Sequence, residues 1–113
     1  MDAKTARMIK EKAIREKIEL GSKIQAEIRE RTADLLADDV NRIYKEIADM
    51  AGIGHMEARY TVVLSDMART YKPEMLKLAF KPYLEQVFKA DGYKVRVDAK
   101  DSGSHGILVV VRW

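Results

Sequence analysis

The chain has no cysteine among its 113 residues. That excludes disulfides, thiolate metal sites and cysteine nucleophiles, and it fits a reducing compartment. Proline is nearly absent, at two residues, and glycine is scarce, at six. A chain so poor in breakers is free to form long helices. No apolar run approaches membrane-spanning length and the first residues lack the apolar core of a secretory signal, so the expected setting is cytoplasmic, with no membrane partner. Missing too are a glycine-rich phosphate loop, a dinucleotide fingerprint and any RNP-like motif.

What the chain has in surplus is charge, 35% of its residues. The net charge of +3 hints at an acidic partner. The distribution weakens the hint: residues 1–51 hold eleven basic and eleven acidic residues, which leaves ten against seven for the remainder. A nucleic-acid footprint is larger or more clustered than that. The balanced half instead has the composition of a solvated helix surface.

Residues 2–51 read as helical, with Asp2 as N-cap and acid–base pairs four apart at Glu11/Arg15, Glu19/Lys23 and Glu27/Arg31, each contributing about 0.2–0.5 kcal/mol. Gly21-Ser22 interrupts this stretch. Glycine suits the position past a helix end and Ser22 to Gln25 matches a capping box, so a break or kink is expected there. Beyond it Leu36, Val40, Ile43, Ile47 and Met50 alternate four- and three-residue steps. Such a seam predicts a helix–helix contact, here assigned to a homo-oligomer interface. Extending it backwards through Ile24 and Ile28 would bring Arg31 into it. Ile14 and Ile18, with Ile9 and Ala13 nearby, form a weaker stripe. Gly52 is expected to cap the helix in the left-handed conformation, with Ile53 packing back on it.

Glu57 to Ser65 alternates as a strand, with Ala58, Tyr60, Val62 and Leu64 on its dry side. A connection to Lys72 follows, with a short turn capped by Asp66. Pro73 opens a helix whose stripe Leu76, Phe80, Leu84 and Val87 runs to about Ala90, and Pro82 within it predicts either a bend near Leu78 or a restart. Asp91-Gly92 ends it. Tyr93, Val95, Val97 and Ala99 then alternate with Lys94, Arg96, Asp98 and Lys100 as a half-buried strand. The terminal run Ile107 to Val111 is apolar without alternation, which predicts a central strand covered on both faces. It forms an antiparallel hairpin with the strand before it, giving the order first–third–second. The crossover helix covers one face. The long N-terminal helices, this chain's or a neighbour's, are expected on the other. The fold class is therefore α+β: an N-terminal helical segment, 1–54, that oligomerises, and a small β-α-β-β unit, 55–113.

Chemistry is hard to find in this pattern. His55 and His105 lack ligand spacing, so no metal site is assigned. Asp101, Ser102, Ser104 and His105 include the residue types of a hydrolytic triad, but triads draw on distant segments held by a scaffold, so no catalytic residue and no cofactor are assigned. The loop has a better use as a binding element. Ser102, Ser104 and the backbone between Asp101 and Gly106 can donate hydrogen bonds, with Lys100, His105 and Arg112 alongside, which suits a protein partner or a small anionic ligand. Nucleic acid is the alternative, since Arg59, Lys94, Arg96, Lys100 and Arg112 share the sheet and Tyr60, Tyr93 and Trp113 are aromatics able to stack on bases. It is disfavoured because Tyr60 and Tyr93 lie on dry faces.

The layout resembles that of small accessory proteins encoded by bacteriophages. These open with a helix of the Asp2-Ala3-Lys4-Thr5-Ala6-Arg7 type, continue with one strand and have a helix ending in a stretch like Asp91-Gly92-Tyr93-Lys94-Val95. They finish on a glycine-containing hairpin with an aromatic last residue such as Trp113. This chain departs from them in its longer helical stretch, about 21–51. The resemblance implies a non-enzymatic viral protein in the host cytoplasm that binds or inhibits a host or defence component, or a minor virion part. It carries over no catalytic residue.

Overall fold

A computed structural model describes residues 2–99 and 106–113. The elements are helix α1 (Ala3–Gly52), strand β1 (Glu57–Val63), a 3-10 turn (Met67–Arg69), helix α2 (Pro73–Ala90), and strands β2 (Lys94–Asp98) and β3 (Gly106–Arg112). The α+β class and the three-stranded sheet with one crossover helix stand as the sequence predicts. The sheet order is β1-β3-β2. Both outer strands run antiparallel to β3 and so parallel to each other.

The expected break at Gly21-Ser22 does not occur: α1 is one helix of 50 residues. Gly21 keeps a right-handed backbone, the positive-φ glycines among the described residues being Gly54 and Gly92. A helical glycine costs only about 0.5–1 kcal/mol relative to alanine, too little to break a helix flanked by strong formers on both sides. Asp2 caps the start, accepting from the Thr5 amide at 2.7 Å. Of the expected four-residue pairs, Glu27 and Arg31 stand 4.0 Å apart, and Lys12 with Glu16 adds another at 4.0 Å. The end differs too. Gly52 stays inside the helix, Gly54 takes the left-handed conformation at φ 84°, and the His55 amide closes on the Met50 carbonyl at 2.9 Å. Ile53 does not pack back and is 69% exposed.

Helix α2 runs unbroken through Pro82 and does not restart there. Leu78 and Pro82 both lie on its solvated side, so the carbonyl that Pro82 leaves without a helical donor is open to water. The stripe beneath (Leu76, Ala79, Phe80, Leu84, Phe88) is buried. Asp66 precedes the 3-10 turn but its side chain makes no capping bond.

The covering of the sheet departs most from expectation. Helix α1 lies against β1, α2 against β2 and β3, and the two helices touch each other. Ile28, Leu36, Ile43 and Ile47 of α1 join Phe80, Leu84 and Phe88 of α2 and Ala58, Val62, Val97, Ile107, Val109 and Val111 of the sheet in one cluster. Both helices therefore cover the same face of the sheet. The core also crosses the 54/55 boundary, and the two segments are built around it together. Val110 interrupts the alternation of β3 for another reason. It lies on the opposite face between Arg59 and Arg96 in register, yet is only 3% exposed. Its cross-strand neighbours on that face are both arginines, a residue type whose apolar stem covers apolar surface while its charged end stays in water.

Three tyrosines hold α1 to the rest. Tyr44 donates to the Asp91 carboxylate and its ring meets that of Phe88 at 5.1 Å. Tyr60 donates to Asp39 at 2.9 Å. Tyr71 donates to Glu27 at 2.6 Å and accepts from Arg31 at 2.8 Å.

Candidate functional site: the open face of the sheet

Alternation along each strand sends Ala58, Tyr60, Val62, Ile107, Val109, Val111 and Val97 towards the helices. It sends the intervening residues outward. Register then assembles three rows on the outward face. Arg59, Val110 and Arg96 form one, Glu57, Arg112 and Lys94 the next, and Thr61, Leu108 and Asp98 the third. Val63 extends the apolar line at 60% exposure, opposite Gly106. A Cβ on Gly106 would stand 3.2 Å from the Thr61 methyl, so the glycine lets β1 and β3 close at that corner.

Glu57 is bracketed by two guanidinium groups. Arg112 Nε donates at 2.7 Å to one oxygen and Arg59 Nε at 3.0 Å to the other. The hydrogen bond from Arg112, then that from Arg59, holds the Glu57 carboxyl below its usual range. Lys94 and Arg96 make no ion pair among the described residues. Four cations against Glu57 and Asp98 leave the face net positive. A depression of 160 Å³ lies over β2 and β3, lined by Lys94, Val95, Arg96, Val110 and Arg112. It adjoins a second hollow of 310 Å³ at the sheet end, where Lys94 and Arg112 meet Met56, Gly92 and Trp113. Trp113 is fixed there, its amide donating to the Met56 carbonyl at 3.1 Å and its ring edge-on to Tyr93 at 6.4 Å.

Of the residues assigned to a binding loop from the sequence, Arg112 sits in this face. Lys100, Asp101, Ser102, Ser104 and His105 lie outside the described residues. The structure does bring together Arg59, Lys94, Arg96 and Arg112, the cations expected on the sheet. Tyr60 and Tyr93 are absent from the face, as their positions on the dry sides require. The seam assigned to an oligomer interface is placed elsewhere. Leu36, Ile43 and Ile47 are buried in this chain's own core, and Val40 and Met50 are half-buried against it. Their apolar surface is therefore consumed within the chain, a four-three spacing being equally suited to a sheet and a neighbouring helix. His55 is exposed. No group of three potential metal ligands occurs among the described residues. No described helix is long and apolar enough to cross a membrane.

The sequence reading missed that this face is uncovered. The signal was present in β1 and β2, where Arg59, Lys94 and Arg96 alternate with core positions. The continuous apolar run of β3 masked it. Comparison with known proteins gives no matching family model, no similar curated protein and no similar solved structure.

Proposed function

We propose that this is a non-enzymatic binding protein that offers the open face of its sheet to an acidic protein surface. One observation carries the reading. Val63, Leu108 and the shielded Val110 point outward on a face that no described part of the chain covers, and Arg59, Arg96, Lys94 and Arg112 gather at its Val110 end. Apolar positions beside arginines suit a protein–protein interface, where arginine is enriched. The cations would steer an acidic partner towards the face, an effect that salt weakens. A host or defence component bound by a viral accessory protein fits this chemistry.

Nucleic acid would meet the same cations, but Trp113 at the sheet end is the one described aromatic ring beside them, and its ring is already held edge-on to Tyr93, where single-strand binders use several rings for successive bases. If duplex DNA bound through all four cations, its affinity would fall with salt at a slope of about −3.6 on logarithmic axes. The experiment sets the two against each other. Wild-type protein and an Arg59→Glu/Arg96→Glu variant are immobilised and challenged with nuclease-treated bacterial lysate, and DNA binding is followed separately by anisotropy. Proteins retained by the wild type, released by salt and lost by the variant support the proposal. Equal retention by both overturns it, and so does tight duplex binding at physiological salt that the variant abolishes.

A further inference from the structure

From Asp2 to Leu20 every residue of α1 is exposed, because the body of the protein begins only at Ile24 and Gln25. The Gln25 side chain donates to the Met75 carbonyl at the start of α2, and beyond that point no other described element of the chain packs on α1. The molecule is accordingly 72 Å long and 26 Å wide. About 30 Å of single helix stands clear of the body. A solitary helix of that length is marginal in water, where most helical stability comes from packing an apolar face.

This arm is not built as a purely solvated helix. Ile14 and Ile18 are 48% and 63% exposed. They continue, in steps of four and three through Gly21, the line that carries Gln25, Ile28, Thr32 and Leu36 into the core. The core-facing line of α1 thus runs past the end of the core. Gly21 lies on it with nothing within 4 Å of where a Cβ would be, so no packing within the chain calls for glycine there.

We infer that the arm pairs with the arm of a second copy, antiparallel, about a two-fold axis at Ile14. In that register Ile14 meets its own counterpart and Ile18 lies under the stem of the second copy's Lys10. In the same register Ala3 lies opposite Gln25, where the second body begins. Glu11 falls opposite Lys17 of the second copy, and its Lys17 opposite Glu11 of the first. A parallel pairing would set Arg7, Lys10 and Lys17 each beside itself and bring the two bodies into collision range, which disfavours it. Stable interfaces bury about 1,200–2,000 Å² in total, and one helix face per copy lies at or below the low end of that range. The pair is therefore a reversible dimer in the micromolar range, independent of the sheet face and of whatever binds there.

The chain's lack of cysteine makes the test clean. Sedimentation of the wild type over roughly 1–200 µM, a range that spans a micromolar equilibrium, should rise from one 12.9 kDa chain to two. Ile14→Asp/Ile18→Asp should stay at one chain while the thermal unfolding of the body is unchanged, both positions lying outside the core. Single cysteines fix the geometry. Ile14→Cys should form a disulfide with itself, and Glu11→Cys mixed with Lys17→Cys should cross-link where Glu11→Cys alone does not. A wild type that remains one chain throughout overturns the inference, as does an unchanged mass in the double variant. Self-cross-linking of Glu11→Cys without the mixed product overturns the antiparallel arrangement. A monomeric chain whose arm binds anionic lipid vesicles, lost in the double variant, would assign the arm to a membrane surface and overturn it as well.

Discussion

The two ends of α1 make an instructive pair. Residues 3–20 and 28–47 belong to one continuous helix, are similarly rich in charge, and each carries isoleucine at helical spacing. Yet Ile28 and Ile43 are at most 1% exposed while Ile14 and Ile18 are about half exposed. Nothing in local propensity separates them. What differs is whether strand β1 and helix α2 lie alongside, and chain topology supplies those only from Gln25 onward. Burial in this protein is a property of position relative to the sheet rather than of the helical pattern that makes it possible.

Truncation should break the symmetry of that pair most sharply. Leu36→Ala and Phe80→Ala each empty a site with no exposed surface. Each is expected to cost about 3–5 kcal/mol of unfolding free energy. Ile18→Ala in the arm, measured well below the dimerisation range, should cost less than about 0.5 kcal/mol. Denaturant unfolding checks both. A comparable loss at Ile18 would mean that the arm contributes to the body's stability.

The same contrast explains what the sequence disclosed and what it withheld. Strand order was legible because β3 is apolar throughout while β2 alternates, and only a central position suits the former. The helix ending at Ala90 was legible from Leu76, Phe80 and Leu84. Arg31 stays out of the core line because that line passes through Thr32, whose hydroxyl is satisfied by the Ile28 carbonyl at 2.7 Å. A buried threonine of this kind does not announce itself in a hydrophobic pattern. The open sheet face was hidden because the burial of Val110 between two arginines makes an outward position read as a core one. Continuity at Gly21 and Pro82 was hidden because the cost of a breaker depends on what its neighbours secure. The cations Arg59, Lys94, Arg96 and Arg112 were visible individually, but only register shows that they gather in two adjacent rows of one face.

A smaller effect sharpens the comparison at the far end of α1. Tyr44 joins the helix to the C-terminus of α2, and its phenol is pushed up to about 12 from 10.0, by burial first and then by the hydrogen bond to Asp91. The proton is held more tightly in the folded chain than in the unfolded one. Its contribution to stability is therefore complete below pH 10 and is lost progressively between pH 10 and about 12. Tyr44→Phe should lower stability at neutral pH and remove that part of the alkaline decline. Thermal unfolding of both proteins from pH 8 to 12 reads the difference, and parallel curves would show that Tyr44 is not the group responsible.

A further small effect, of opposite sign, is expected at the junction between the two regions. Gly21 is helical, a Cβ there would meet nothing within 4 Å, and its backbone is not left-handed. Alanine can therefore occupy the position without strain, and it removes conformational freedom from the unfolded chain. Gly21→Ala should stabilise the helix by about 0.5–1 kcal/mol. Because the residue sits where α1 leaves the body, the gain should fall unevenly. Amides before Gly21 fray without crossing to the unfolded state of the body, so their protection depends on local helix propagation. Amides beyond Ile28 open only with the core and should be little affected. Hydrogen exchange on the Ile14→Asp/Ile18→Asp background, with and without Gly21→Ala, isolates this from self-association. Slower exchange confined to residues 4–20 would show that the arm and the body are separate cooperative units on one helix. A gain spread equally over both would show that α1 melts as a single piece.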